Sequence, residues 1–165
     1  MPANETFQQA LSKLLTEVFD GPPGEAAFIL NPGDPGLLGQ LDSVTASEAS
    51  ARPMPGKTTI AAHVDHVRYG LELLNRWAAG DENPWATADW EASWRRTAVA
   101  DDQWQALRDN LRREAQTWQR AVKQRTEWDA LAAAGSLASL AHTAYHLGAI
   151  RQILAALSSV AQAPA

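Results

Sequence analysis

The chain has 165 residues, 45% of them hydrophobic and 20% charged, which suffices for a packed core and excludes a wholly disordered polypeptide. Cysteine is absent, so disulfides, iron–sulfur clusters, thiolate metal sites and a cysteine nucleophile are excluded, and four histidines are the whole stock of imidazoles. A formal charge of -5, no basic-then-apolar opening segment and no apolar run of roughly 18 residues lead us to expect a cytoplasmic protein without nucleic-acid or membrane partners.

The first element is a helix over NETFQQALSKLLTEVFD, where Phe7, Leu11, Leu14, Leu15 and Val18 repeat at helical spacing. Asn4 is placed to cap it, and the GPPG at 21–24 ends it. Residues 21–56 then form a long connection with structure of its own. Phe28, Ile29 and Leu30 are expected to pack on the helices, and LLGQL at 37–41 to make a short helical turn. Thr45 and Glu48 have the spacing of a capping box, which predicts another brief helix in TASEAS, and ARPMPG reads as an irregular lead-in.

The second long helix is expected from Thr59 to Ala79, with Ile60, Val64, Val67, Leu71, Leu74 and Trp77 as one apolar stripe and Gly80 as its stop. Residues 81–99 are rich in tryptophan, with a short helix expected after Thr87. Trp85, Trp90 and Trp94 are placed to cover a site or to fasten the connection. The third long helix is expected over 100–126, buried through Trp104, Leu107, Leu111, Ala115, Trp118 and Val122. The basic residues crowding this region alternate with Asp101, Asp102, Asp109 and Glu114, the pattern of a solvated face rather than a nucleic-acid patch. The fourth, SLASLAHTAYHLGAIRQILAALSSV, is apolar on more than one side. No strand pattern stands out beyond the short AAFIL. The expectation is an all-α four-helix bundle with long crossover connections, forming one domain over 1–165.

All four histidines fall on two of these helices. His142 and His146 are four apart, so their side chains share a face one turn apart and can place two nitrogens around one divalent ion. His63 and His66 are three apart beside the stripe of the second helix. Burying four imidazoles without partners would be costly, whereas ligation or hydrogen bonding satisfies them. Periodicity favours His63 as the inward residue and leaves the second-helix ligand open, since a site can lie off the core axis.

TTIAAHVDH followed by AHTAYHLGAIRQIL resembles the DinB/YfiT-like superfamily of metal-binding four-helix bundles over essentially the whole chain. The resemblance implies an up-down-down-up bundle and a ligand seven positions after a Ser or Thr that precedes Val or Ile. Thr59 and Ile60 bring His66 to that position, and His142 with His146, followed by Gly148 and Ile150, match the fourth-helix pair. His63 is then a partner of a ligand, an alternate ligand or a fourth one. The resemblance also implies zinc or nickel and, in some members, a thiol-dependent transferase or isomerase using bacillithiol, mycothiol or glutathione.

These expectations converge on a divalent-metal-dependent enzyme for a small molecule, an S-transferase using an external thiol. Arg68, Arg76 and Arg151 are candidates to meet a carboxylate on the thiol cosubstrate, with a surface or helix-end role as the favoured alternative for each. The alternatives are a metal-dependent hydrolase, with His63 as base ahead of Asp65 and Glu72, and a non-enzymatic structural or regulatory metal protein. Helix geometry turns Asp65 away from the histidines, toward solvent. Tyr69 and Tyr145 are expected at the rim, Gly148 is expected to permit close helix approach, and a homodimer is the expected assembly.

Overall fold

The computed structural model describes residues 3–53 and 58–161, the last two without their side chains. Six α-helices follow in order: α1 (Ala3–Asp20), α2 (Leu37–Asp42), α3 (Ala46–Ser50), α4 (Ile60–Ala78), α5 (Asp101–Gln124) and α6 (Ala130–Ala161), with a 3-10 turn at Ala92–Trp94 before α5. No strand occurs among the described residues, AAFIL included. The strongest packing joins α5 and α6 each to both α1 and α4, so the four long helices form a four-helix-bundle core.

The apolar repeats dictate which faces meet. Leu11, Leu15 and Val18 of α1, and Trp104, Leu107, Leu111, Ala115, Trp118 and Val122 of α5, are all buried. Each fully buried valine- or leucine-sized side chain among them contributes on the order of 1.5–3 kcal/mol relative to exposure. Two indole N–H groups are satisfied inside that core: Trp104 Nε1 donates to the Val44 carbonyl at 2.7 Å, and Trp118 Nε1 to Ser139 Oγ at 2.9 Å. α6 begins six residues before the expected stretch. The Asp129 carboxylate accepts from Ala132 N at 2.7 Å and caps a first turn of alanines that carries no periodic signal.

The connection between α1 and α4 carries both short helices. Thr45 and Glu48 form the capping box of α3, with Glu48 N donating to Thr45 Oγ1 at 3.2 Å and Thr45 N to Glu48 Oε2 at 2.9 Å. Of the irregular lead-in expected at 51–56, residues 54–56 lie outside the described residues. Asn4 sits inside α1 rather than at its cap.

Phe28 and Ile29 depart from expectation: neither packs against the core, and the side chains are exposed, Phe28 at 67%. What holds this stretch is Glu17, whose buried carboxylate accepts the backbone N–H groups of Phe28, Ile29 and Leu30 at 2.6–3.1 Å. Burial alone would raise the Glu17 pKa, but the N–H groups of Leu30, Ile29 and Phe28 and the nearby Lys13 together hold it below its ordinary value. Only Leu30 leans on the core.

Candidate metal centre

Thr59 starts α4, its hydroxyl accepting from Ala62 N at 3.3 Å. The eight residues that follow, Ile60 to Val67, are all buried, because this end of α4 is enclosed by α5, α6, α3 and the Trp-rich segment. His63 and His66 are therefore both inside. From α6, His146 is buried and His142 half-buried.

The four imidazoles meet. His142 Nε2 lies 3.1 Å from His66 Nε2 and 3.0 Å from His146 Nε2, and one nitrogen from each of these three falls within 4.8 Å of the others. A tetrahedral ion held at about 2.0–2.1 Å sets nitrogen–nitrogen edges of about 3.3 Å, close to the observed separations. His63 stands behind this trio, its Nδ1 at 2.7 Å from His146 Nδ1. It is a neighbour of one member and does not join the set of converging nitrogens.

Hydrogen bonding fixes one tautomer. The Ser93 hydroxyl proton goes to the Trp90 carbonyl at 2.6 Å, so Ser93 Oγ has only lone pairs left for His66 Nδ1 at 2.8 Å. His66 must carry its proton on Nδ1, which leaves the Nε2 lone pair facing the other histidines. Electrostatics keeps the cluster neutral. Burial is the largest cause and pushes all four pKa values below 6.5. His66 falls to about 4, with His142 and His63 adding to burial and Asp65 opposing, and His146 to about 3, with His142, His63 and His66 adding. Neutral imidazole is the form that ligates a metal.

The Trp-rich segment closes over this cluster. Trp94 stacks on His66 with ring centroids 4.3 Å apart and meets His63 edge-on at 5.3 Å, while Trp90 lies 5.6 Å from His66. The helical turn expected after Thr87 is instead a single 3-10 turn at Ala92–Trp94, and it delivers Ser93 and Trp94 to the site. Tyr69 anchors the segment, its hydroxyl accepting from Asp89 N at 3.0 Å. Tyr145 is 68% exposed, with its ring against His146 at 5.0 Å.

Asp65 is not the solvated residue that helix geometry suggests. It is buried, with Arg68 Nε at 2.8 Å on one oxygen and Arg96 Nε at 2.8 Å on the other. Arg96 belongs to the covering segment, so this pair of contacts ties that segment to α4. Arg68 also reaches Glu72 at 2.7 Å, Arg76 reaches Asp81, and Arg151 binds Asp34 at 3.2 Å and the Pro35 carbonyl at 2.8 Å. All three arginines considered for a cosubstrate are thus engaged within the chain. Gly148 is exposed, and a Cβ there would meet nothing within 4 Å, so it serves no close helix approach.

Beside His142 opens a cavity of about 420 Å³, walled by α4, α6 and the indoles of Trp85 and Trp90. Gly70 and Gly135 face it from the two helices. Sequence reasoning missed Ser93, since one serine among tryptophans and alanines carries no spacing signal. It also missed this cavity, which depends on glycines and alanines facing each other across two helices distant in sequence.

A sequence model of the DinB superfamily matches residues 36–162, which include all four histidines. Comparison with the curated proteins gives no match, and comparison with the solved structures gives none either.

Proposed function

The chain belongs to the DinB superfamily, and on that premise we propose that His66, His142 and His146 hold a divalent metal ion in an enzyme acting on a small molecule. The observation that carries the reading is the convergence of three neutral imidazoles, with Nε2 separations of 3.0 and 3.1 Å and no carboxylate among them. An all-imidazole set suits zinc or nickel. A bound ion would supply Lewis acidity, lowering the pKa of a thiol or water presented to it.

The remaining roles fall to the chain itself. Ser93 orients His66, and His63 orients His146: ligation through His146 Nε2 requires its proton on Nδ1, donated to His63 Nδ1 at 2.7 Å. Trp94 and Trp90 shield the imidazoles from water.

Between the two reactions, thiol transfer is the better fit. Hydrolysis benefits from a positioned base, and none of the cavity-lining residues is Asp or Glu, while both oxygens of Asp65 are held by arginines. In the proposed transfer, a low-molecular-weight thiol loses its proton to solvent, and its sulfur forms a bond to an electrophilic carbon as that carbon's bond to the leaving group breaks. The leaving group departs with its electron pair. A purely structural metal protein is the weaker alternative, because His63 backs the trio rather than closing a four-histidine shell.

The same reading takes the bundle as up-down-down-up. His63 opposite His146 and Trp77 near Gly135 support opposite running for α4 and α6. Gln8 opposite Lys123 and Asp20 opposite Gln119 support the same for α1 and α5. Asn75 meeting Glu114 in the second half of α5, and Trp77 meeting Arg125 just past its end, support a shared direction for α4 and α5.

Replacing both His142 and His146 with alanine is expected to abolish stoichiometric zinc or nickel uptake while preserving helix content. Elemental analysis and circular dichroism check the two halves. Unchanged metal occupancy in the folded double variant overturns the site.

A further inference from the structure

The cavity beside His142 is chemically one-sided. Its walls carry no Asp, Glu, Lys or Arg. The two hydroxyls that line it are already committed to the helix. Ser139 Oγ donates to the Ser136 carbonyl at 2.7 Å and accepts from Trp118 Nε1 at 2.9 Å, and Thr143 Oγ1 donates to the Ser139 carbonyl at 2.8 Å. Neither has a proton left for a ligand. The one titratable side chain in the lining is His142, whose ring edge lies 3.8 Å from where a Gly70 Cβ would stand.

The rim adds a second observation. Trp85 and Trp90 flank the opening while remaining 37% and 40% exposed, so two large apolar surfaces stand in water at the mouth of an apolar space. Having no side chain, Gly70 leaves unfilled the spot where a Cβ would touch both the His142 ring edge at 3.8 Å and the Trp90 ring at 3.9 Å. At about 420 Å³ the space lies in the range of small-ligand pockets, roughly 300–1,000 Å³.

We infer that this cavity binds the uncharged, aromatic or alkyl body of the electrophilic substrate, with that substrate's one polar end directed at His142. A charged group placed there would give up its hydration and find no countercharge, which costs far more than an apolar group of the same size gains. An apolar body instead covers the two indoles and the Val67, Leu71 and Leu74 side chains. That the occupant is the electrophilic substrate, and what meets its polar end, rests on the proposed transfer at the metal centre. The cavity's preference for an uncharged body stands on its walls alone.

Two probes of matched shape test this on the full chain in metal-free form: 2-naphthol, which is uncharged at neutral pH, and 2-naphthoate, which is an anion. Calorimetry is expected to show saturable binding of 2-naphthol, with 2-naphthoate weaker by at least about tenfold. Ala138 lines the cavity from an exposed helical position, so Ala138→Trp fills it without disturbing the core. This variant is expected to weaken 2-naphthol by at least about tenfold while leaving helix content and zinc stoichiometry unchanged. Gly135→Leu fills the space from within the same helix and should act alike. Equal binding of the two probes overturns the inference, as does undiminished 2-naphthol binding in a folded Ala138→Trp protein. A wild-type protein that binds 2-naphthol but no zinc removes the metal reading and leaves this one standing.

Discussion

Ser93 has one hydroxyl proton, and giving it to the Trp90 carbonyl obliges His66 to donate from Nδ1. That single commitment presents the Nε2 lone pair to His142 without any charge on the ring. Removing the hydroxyl frees the imidazole to flip or exchange tautomer. Ser93→Ala is therefore expected to weaken zinc affinity by about 10–100-fold with the fold intact. Competition against a chelator of known affinity measures it, and an unchanged affinity would show that His66 is oriented by packing alone. His142 and His146 are legible in the sequence because i,i+4 spacing on a strong helix needs no tertiary knowledge. The choice between His63 and His66 is not legible in periodicity, and only the resemblance opened by Thr59 and Ile60 points to His66. Stripe analysis assumes one buried face, whereas Ile60 to Val67 is enclosed all round, so both histidines and even Asp65 are inside.

Two glycines show how an element's surroundings decide the sign of a change. Gly36 lies where the chain turns into α2, and an added Cβ would stand 2.5 Å from the Phe19 carbonyl carbon and oxygen. Those are backbone atoms and cannot swing aside. Gly148 is a helical position facing open space. Gly36→Ala is expected to cost about 1–3 kcal/mol through overpacking, and Gly148→Ala to stabilise by up to about 1 kcal/mol through helix propensity. Denaturant titrations of the two variants should move their midpoints in opposite directions. At this scale the long helices were readable because their apolar repeats coincide with burial, as α5 demonstrates from Trp104 to Val122. The 28–30 stretch was not, because its anchor is one carboxylate eleven to thirteen residues earlier binding main-chain atoms, and hydropathy records nothing of that.

For the molecule as a whole, acid acts on both buried clusters in the same direction. In the metal-free protein the four histidines have folded pKa values below 6.5, reaching about 4 for His66 and about 3 for His146. As pH falls below 6.5 the unfolded chain takes up protons that the folded chain refuses, so stability drops across the interval down to those folded values. Glu17, held low by its N–H partners, adds a further loss at more acidic pH as it too becomes protonated. The urea midpoint of metal-free protein is expected to be flat above about pH 7 and to decline from about pH 6.5 toward 4. Saturating zinc at neutral pH should raise the unfolding free energy by about 2.7 kcal/mol at a hundredfold excess over Kd, and the midpoint with it. A midpoint that rises on acidification would contradict the neutral cluster. None of the described helices is long and apolar enough to cross a membrane.

Two of the contacts that fasten the segment over the histidines rest on unlike forces. On one side Asp65 grips Arg96, a residue whose side chain is 46% exposed, and on the other Trp94 lies flat on His66. Added salt loosens the half-exposed ion pair more than the stacked rings, whereas cooling weakens apolar contact more than the ion pair. Ionic strength and temperature therefore act chiefly on different edges of the same strip of chain, and the edge carrying the tryptophans is the one that better keeps its hold in brine.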